Sequence, residues 1–261
     1  MEFAEIPIHF CLACGLLMSI NATNDWWLIE ASVNGTMQPE GKSRHMKIDS
    51  YDKPIQLADH MNGARTSSSD AVPNVQLPPP RTKSDKSLLE ALALRHTHRE
   101  FDPRPLPPQV LSDLLWAASG INRPATGGDT VPKWRNVRLI EIYAAMADGV
   151  WIYEPSTHSL RAHLATDIRS QTSMQEFAGQ APLELIYVAR RTLMKDVPTW
   201  DRRLYASVDA AFIGQNVYLF CASESLATVF RGTFDYAQLA RTLELGAEQF
   251  VVFAQTVGYP A

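Results

Sequence analysis

At 261 residues and 46% hydrophobic, the chain can bury a full single-domain core and still leave a tail. A formal charge of -4 and a pI near 6.0 argue against nucleic acid as a generic partner. Three cysteines cannot build a disulfide framework, and Cys11-x-x-Cys14 sits in an apolar run with no second pair to complete a zinc site.

Ile6 to Ile20 is apolar but too short for a stable membrane span. Glu2 and Glu5 stand where a signal peptide would carry positive charge, so the expected location is cytoplasmic, with export open if this segment is a signal. From Gly35 to Lys83 the composition turns polar, with Ser67-Ser68-Ser69 and Pro78-Pro79-Pro80 and little periodicity. Residues 1–74 therefore read as an extension or linker, and residues 75–261 as the folded domain.

Ser84 is placed to cap a helix through Leu88, Leu89, Ala91, Leu92 and Leu94, which form one apolar stripe ending at Arg95. Pro107-Pro108 suits the first turn of a second helix carrying Val110, Leu111, Leu114, Leu115 and Ala118, stopping near Gly120. A Gly-rich loop follows at Ala125 to Gly128. Val137 to Tyr143 has the pattern of a buried strand, and Val150 to Tyr153 with Leu160 to His163 predict a hairpin closed at Pro155-Ser156-Thr157. Leu183 to Ala189 reads as another buried strand. Leu204 to Ala222 reads as a long helix apolar on nearly every side, which must be enclosed on all sides. Thr228 to Arg231 and Gln249 to Ala254 are the last strands, with a helix around Tyr236 to Leu243 between them. Helices and strands interleave without a strict βαβ rhythm, which predicts an α+β sheet.

The densest chemistry lies at Arg95-His96-Thr97-His98-Arg99-Glu100-Phe101. Two guanidinium forks and a hydroxyl at a helix end make a compact anion site through charge-assisted donors. None of the 13 glycines forms a G-x-G-x-x-G or G-x-x-x-x-G-K-[ST] loop, so side chains would hold a phosphate here. The same arginines, taken alone, are also what a solvated helix end carries. His96-x-His98 has the spacing of two ligands on a strand but no accompanying Cys or carboxylate set, so no metal is expected. Gln215 and Asn216 could satisfy buried backbone or contact a ligand.

Taken in order, four stretches resemble the flavin-dependent nitroreductases, and more closely the short branch akin to the azoline dehydrogenases. The likeness covers Val75 to Ala261. Arg95 to Phe101 resembles the family's first phosphate motif, and Leu115 to Arg123 its second-helix ending. Val131-Pro132-Lys133-Trp134-Arg135-Asn136 resembles its A-P-S-x-x-N loop. Gln215-Asn216 with Ser225 to Gly232 resembles its Q-N…G-L-G-x-x-x-x-G stretch.

This resemblance implies a nitroreductase-like fold: a mostly antiparallel central sheet flanked by helices, with the long helix at the interface of a homodimer. It implies FMN between the subunits. Arg95, Thr97 and Arg99 would bind its phosphate and ribityl chain, with His96 beside the ring. Pro132, Lys133, Trp134 and Asn136 would line the flavin from the other subunit. The backbone at Phe230, Arg231 and Gly232 would run along the ring edge, where an N–H can reach N5. The implied activity is ping-pong transfer of hydride from NAD(P)H to a nitroaromatic, quinone or similar small-molecule acceptor. Two other readings stay open. One is an FMN-dependent dehydrogenase of a peptide-derived heterocycle that passes electrons to oxygen; the other is a non-catalytic flavin-binding protein. Lys133 and Trp134 replace smaller family residues and Ser225 and Ala227 replace glycines, and the chain ends at Ala261 without the basic continuation many members have. FMN binding weaker than typical is therefore expected.

Overall fold

The computed structural model describes residues 74–175 and 177–261. The Cys11-x-x-Cys14 pair and the apolar Ile6 to Ile20 segment lie outside the described residues.

The order of elements begins with β1 (Asn74–Gln76), α1 (Leu88–Leu94), β2 (Phe101–Asp102) and α2 (Pro108–Ser119). A small hairpin follows, β3 (Ile121–Arg123) and β4 (Gly128–Asp129), then a 3-10 turn at Trp134–Asn136. Next come β5 (Ile140–Met146), β6 (Gly149–Glu154), β7 (Ser159–Leu164), α3 (Phe177–Gln180) and β8 (Leu183–Arg190). The chain finishes with α4 (Thr199–Ser223), β9 (Ala227–Arg231), α5 (Tyr236–Thr242) and β10 (Gln249–Pro260).

The main sheet runs β1-β7-β6-β5-β8-β10-β2, with β9 also on β10, and every pairing is antiparallel. The α+β expectation holds. At 12 residues, β10 is long enough to serve three partners: β8 along Gln249 to Val257, β9 along Ala254 to Gly258, and β2 at Tyr259 and Pro260.

Two apolar layers sandwich the sheet. On one face Ile140, Ile142, Leu185 and Tyr187 pack with Leu111, Leu114 and Leu115 of α2 and Ala210, Ile213 and Val217 of α4. On the other face Tyr143, Ile152, Ile186 and Val188 pack against Leu239 of α5 and Leu243 just beyond it. This alternation of inward faces along each strand follows from the two-residue period of extended backbone.

Several expectations shift. The cap of α1 is Ser87, not Ser84: its Oγ accepts from the Glu90 N–H at 3.2 Å while Glu90 accepts from the Ser87 N–H at 2.6 Å, a complete capping box. The buried strand expected from Val137 starts at Ile140, because the chain first turns through Trp134–Asn136. The Gly-rich loop is the turn of the β3–β4 hairpin. The long helix extends from Thr199 to Ser223, and the described residues do not enclose it: Trp200, at 70% exposed, together with Leu204, Val208 and Phe212 forms a bare stripe at four-residue spacing. Leu88, Leu89, Leu92 and Leu94 of α1, which packs on α4, are exposed as well.

Candidate functional site

The arginine segment leaves α1 at Arg95, the C-cap, and continues as extended chain toward Phe101. Two ties hold it to β9. The His98 N–H donates to the Thr228 carbonyl at 3.0 Å. The Thr97 hydroxyl lies 3.0 Å from the Tyr218 phenol, which in turn accepts the Phe230 N–H at 3.0 Å. The Arg95 guanidinium stands 5.4 Å over the ring of that same tyrosine. Tyr218 belongs to α4, so the helix stitches the first and fourth sequence motifs together.

Arg95 and Arg99 form no ion pair with any carboxylate among the described residues, unlike Arg104, Arg135, Arg138, Arg169, Arg190 and Arg231. Two unneutralised guanidiniums flanking a hydroxyl are a donor set suited to a phosphate monoester. His96 is exposed, its Nδ1 lies 2.7 Å from the Leu94 carbonyl, and its ring centroid is 3.9 Å from that of His98. Nδ1 of His98 is buried without a hydrogen-bond partner, and burial followed by the nearby His96 holds the His98 pKa below its usual value.

Strand geometry decides which backbone groups of β9 are open to that side. Residues Thr228 and Phe230 direct their carbonyl and N–H away from β10, toward the arginine segment and Tyr218. By the alternation of an antiparallel ladder, the Arg231 amide faces β10, where Arg231 sits opposite Ala254. The Arg231 side chain is neither a surface group nor a free cation. It is buried in the core, bonded to Glu184, to the Thr172 carbonyl at 2.8 Å and to Thr256. Burial pushes the Glu184 carboxyl up to about 7 against the opposing pull of Arg231.

The third motif is built separately. Asp209 on α4 is buried and offers both carboxylate oxygens to the Trp134 N–H, at 3.1 and 3.2 Å, capping the Trp134–Asn136 turn. Burial raises the pKa of that carboxyl. Arg135 and Asn136 both adopt left-handed backbone, with φ of 46° and 59°. The Arg135 guanidinium meets Asp196 at 2.5 Å in an exposed ion pair and stacks 4.5 Å over Trp134. Trp134 packs on Tyr205, ring centroids 5.5 Å apart, and Pro132 and Asn136 are exposed. Lys133 swings away into a 2.8 Å ion pair with buried Asp129, which also binds Arg138.

The third motif thus docks near Tyr205 and Asp209, while the first and fourth meet at Tyr218. Nine to thirteen residues of helix separate these points, roughly 14–20 Å at 1.5 Å per residue. A cleft of about 230 Å³ lined by Ser119, Arg138, Ile140, Tyr153 and Arg190 contains none of the expected cofactor residues. Asn216 donates to the Ala117 and Thr130 carbonyls at 2.9 and 3.3 Å, so it satisfies backbone, whereas Gln215 is exposed. Sequence reasoning missed Tyr218, Asp209 and Asp129. A tyrosine two residues beyond Gln215-Asn216 was the available signal for the first.

Residues 92–259 match the family model described as the nitroreductase family. The chain belongs to that family. A Methanocaldococcus jannaschii protein that bears a nitroreductase name is 29% identical over 168 residues, spanning 60% of this chain and 84% of the relative. A crystal structure assigned as a nitroreductase from Ralstonia eutropha JMP134 is 39% identical with a TM-score of 0.69, covering 72% of this chain and 90% of that one. A chain of the E. coli microcin synthetase McbBCD complex with truncated pro-MccB17 bound has a TM-score of 0.56 at 15% identity, covering 87% and 85%, and so shares the fold. Membership of the nitroreductase family makes the chain an oxidoreductase by class, and members generally bind flavin. No helix among the described residues is long and apolar enough to cross a membrane.

Proposed function

We propose that two copies of this nitroreductase-family chain hold FMN between them and use NAD(P)H to reduce a small nitroaromatic, quinone or similar acceptor. The observation that carries this reading is the Thr97 hydroxyl tied through Tyr218 to the edge of β9, flanked in sequence by Arg95 and Arg99, which have no carboxylate partner among the described residues. Arg95, Thr97 and Arg99 would grip the phosphate and ribityl chain, with His96 at the margin of the ring. Along β9, the Phe230 N–H is taken by Tyr218 and the Arg231 N–H faces β10. The next outward amide is that of Gly232, which leaves it as the donor available to the ring edge.

The loop of Pro132, Lys133, Trp134 and Asn136 would serve the flavin of the other subunit, which fits its distance along α4 from Tyr218. Its bulky members leave room: Lys133 is folded onto Asp129 and Trp134 onto Tyr205. The bare stripe of Trp200, Leu204, Val208 and Phe212, continued by Leu88, Leu89 and Leu92, is the surface a second copy would cover. Bound FMN supplies the ring that accepts hydride and delivers reducing equivalents, and the chain supplies binding and orientation. Donor and acceptor would use one site in turn, giving ping-pong kinetics.

Titrating the purified full chain with FMN and following flavin fluorescence tests the reading. Saturable quenching in the micromolar range supports it, and a preparation that stays colourless with excess FMN rejects it in favour of a flavin-free protein. A second reading draws on the fold shared with the microcin synthetase chain: oxidation of a peptide-derived heterocycle with electrons passed to oxygen. Rapid NADPH consumption with nitrofurazone or a quinone favours the first reading; slow consumption by an FMN-loaded protein favours the second.

A further inference from the structure

Tyr218 is a half-buried tyrosine in a helix that otherwise offers apolar groups to the sheet, and three contacts converge on it. A phenol has one proton to give and lone pairs to receive. The Phe230 N–H fills a lone pair at 3.0 Å, since an amide can only donate. The phenol's own proton is then free for Thr97 Oγ1, also at 3.0 Å. With the phenol donating, the Thr97 hydroxyl proton stays available to another acceptor.

From this we infer that Tyr218 is a positioning residue: it locks the arginine segment to β9 so that the phosphate grip and the ring edge of the flavin site move as one body. The inference rests on the FMN reading above and adds a residue to it. Without the phenol, residues 95–99 would keep a single hydrogen bond to β9, the His98 N–H to the Thr228 carbonyl, with Phe101 packed on Ala227 and Val229 farther along. One hydrogen bond allows rotation about itself; two, at adjacent residues 97 and 98 and reaching residues 230 and 228, fix orientation as well.

Tyr218→Phe keeps the ring beneath Arg95 and removes only the hydroxyl. FMN and riboflavin affinities should be measured for the wild type, Tyr218→Phe, Thr97→Val and the double variant. The FMN dissociation constant is expected to rise about tenfold in Tyr218→Phe, and that for riboflavin to change less than about twofold. The double variant should bind FMN about as well as Thr97→Val alone, because the phenol acts through that hydroxyl. Equal losses for FMN and riboflavin, or additive effects, would reduce Tyr218 to a packing residue and overturn the proposal. If the wild type takes up no FMN, the functional reading falls, yet the lock is still judged by amide hydrogen exchange. Tyr218→Phe should then speed exchange in both 95–99 and 227–232; unchanged exchange at 95–99 would refute it.

Discussion

The ring of Phe230 lies directly on Gly214, where α4 crosses β9. A Cβ added at Gly214 would stand 2.5 Å from two ring carbons of Phe230 and 3.3 Å from Gln255 Oε1. Phe230 itself packs against Tyr187 and Phe253, with ring centroids at 5.8 and 4.7 Å, which limits how far it can shift. Gly214→Ala is therefore expected to destabilise the fold by about 1–3 kcal/mol through overpacking. Urea unfolding measures this, and an unchanged midpoint would show that the crossing has slack. Because the Phe230 amide holds Tyr218, the variant should also bind FMN less tightly.

Arg95 and Arg99 lack carboxylate partners among the described residues, so removing one should cost little stability and much affinity. Arg95→Ala is expected to raise the FMN dissociation constant by about 10–100-fold, from about 1.5–3 kcal/mol for a lost charged hydrogen bond. Flavin content of the purified variant reads this directly. Full occupancy would remove Arg95 from the phosphate site.

The buried Glu184–Arg231 pair gives a pH signature. Burial raises the Glu184 carboxyl from 4.5 to about 7 in the folded chain. A raised pKa means the folded state holds the proton more tightly, so this contribution is complete below pH 4.5 and disappears as pH rises through 7. That interval corresponds to about 3 kcal/mol. Glu184→Gln cannot titrate, and its stability relative to wild type should improve by about that amount between pH 4.5 and 8. Parallel stability curves for the two proteins would contradict it. Arg231→Met at pH 8, which strands a buried carboxylate, should cost about 3–5 kcal/mol.

The bare stripe on α4 makes its own forecast. Leu204→Asp with Val208→Asp puts two charges on a face exposed in the single chain, where they cost the isolated fold little. If a second copy covers that face, light scattering should find the wild type dimeric and the variant monomeric, with flavin lost in parallel. A dimeric variant would place the interface elsewhere.

Much of this was legible in the sequence because the signals were local. The apolar periods of β6 to β8 and α4, the proline at the start of α2, and the arginine segment were each written within a few neighbouring residues. What escaped depends on distant partners. The Ser87 cap is the exception, since Ser87-x-x-Glu90 is a local signature that separates it from Ser84. Arg231 reads equally as a substrate-facing cation or a surface residue until Glu184, from a strand 47 residues away, neutralises it in the core. Tyr218 reads as helix filler until residues 97 and 230 arrive on either side of its hydroxyl. The short β3–β4 pairing carries no periodicity at all, since neither strand exceeds three residues.

The single carboxylate of Asp129 faces two cations, Lys133 and Arg138. Buried Asp209, which accepts the Trp134 N–H and feels the charge of Lys133, brings the count to two carboxylates against two cations, a balanced cluster beneath the Trp134 turn. A guest resting against that turn would therefore meet paired charges and no net cation from below, so this cluster would not by itself favour electron-rich forms of it over electron-poor ones.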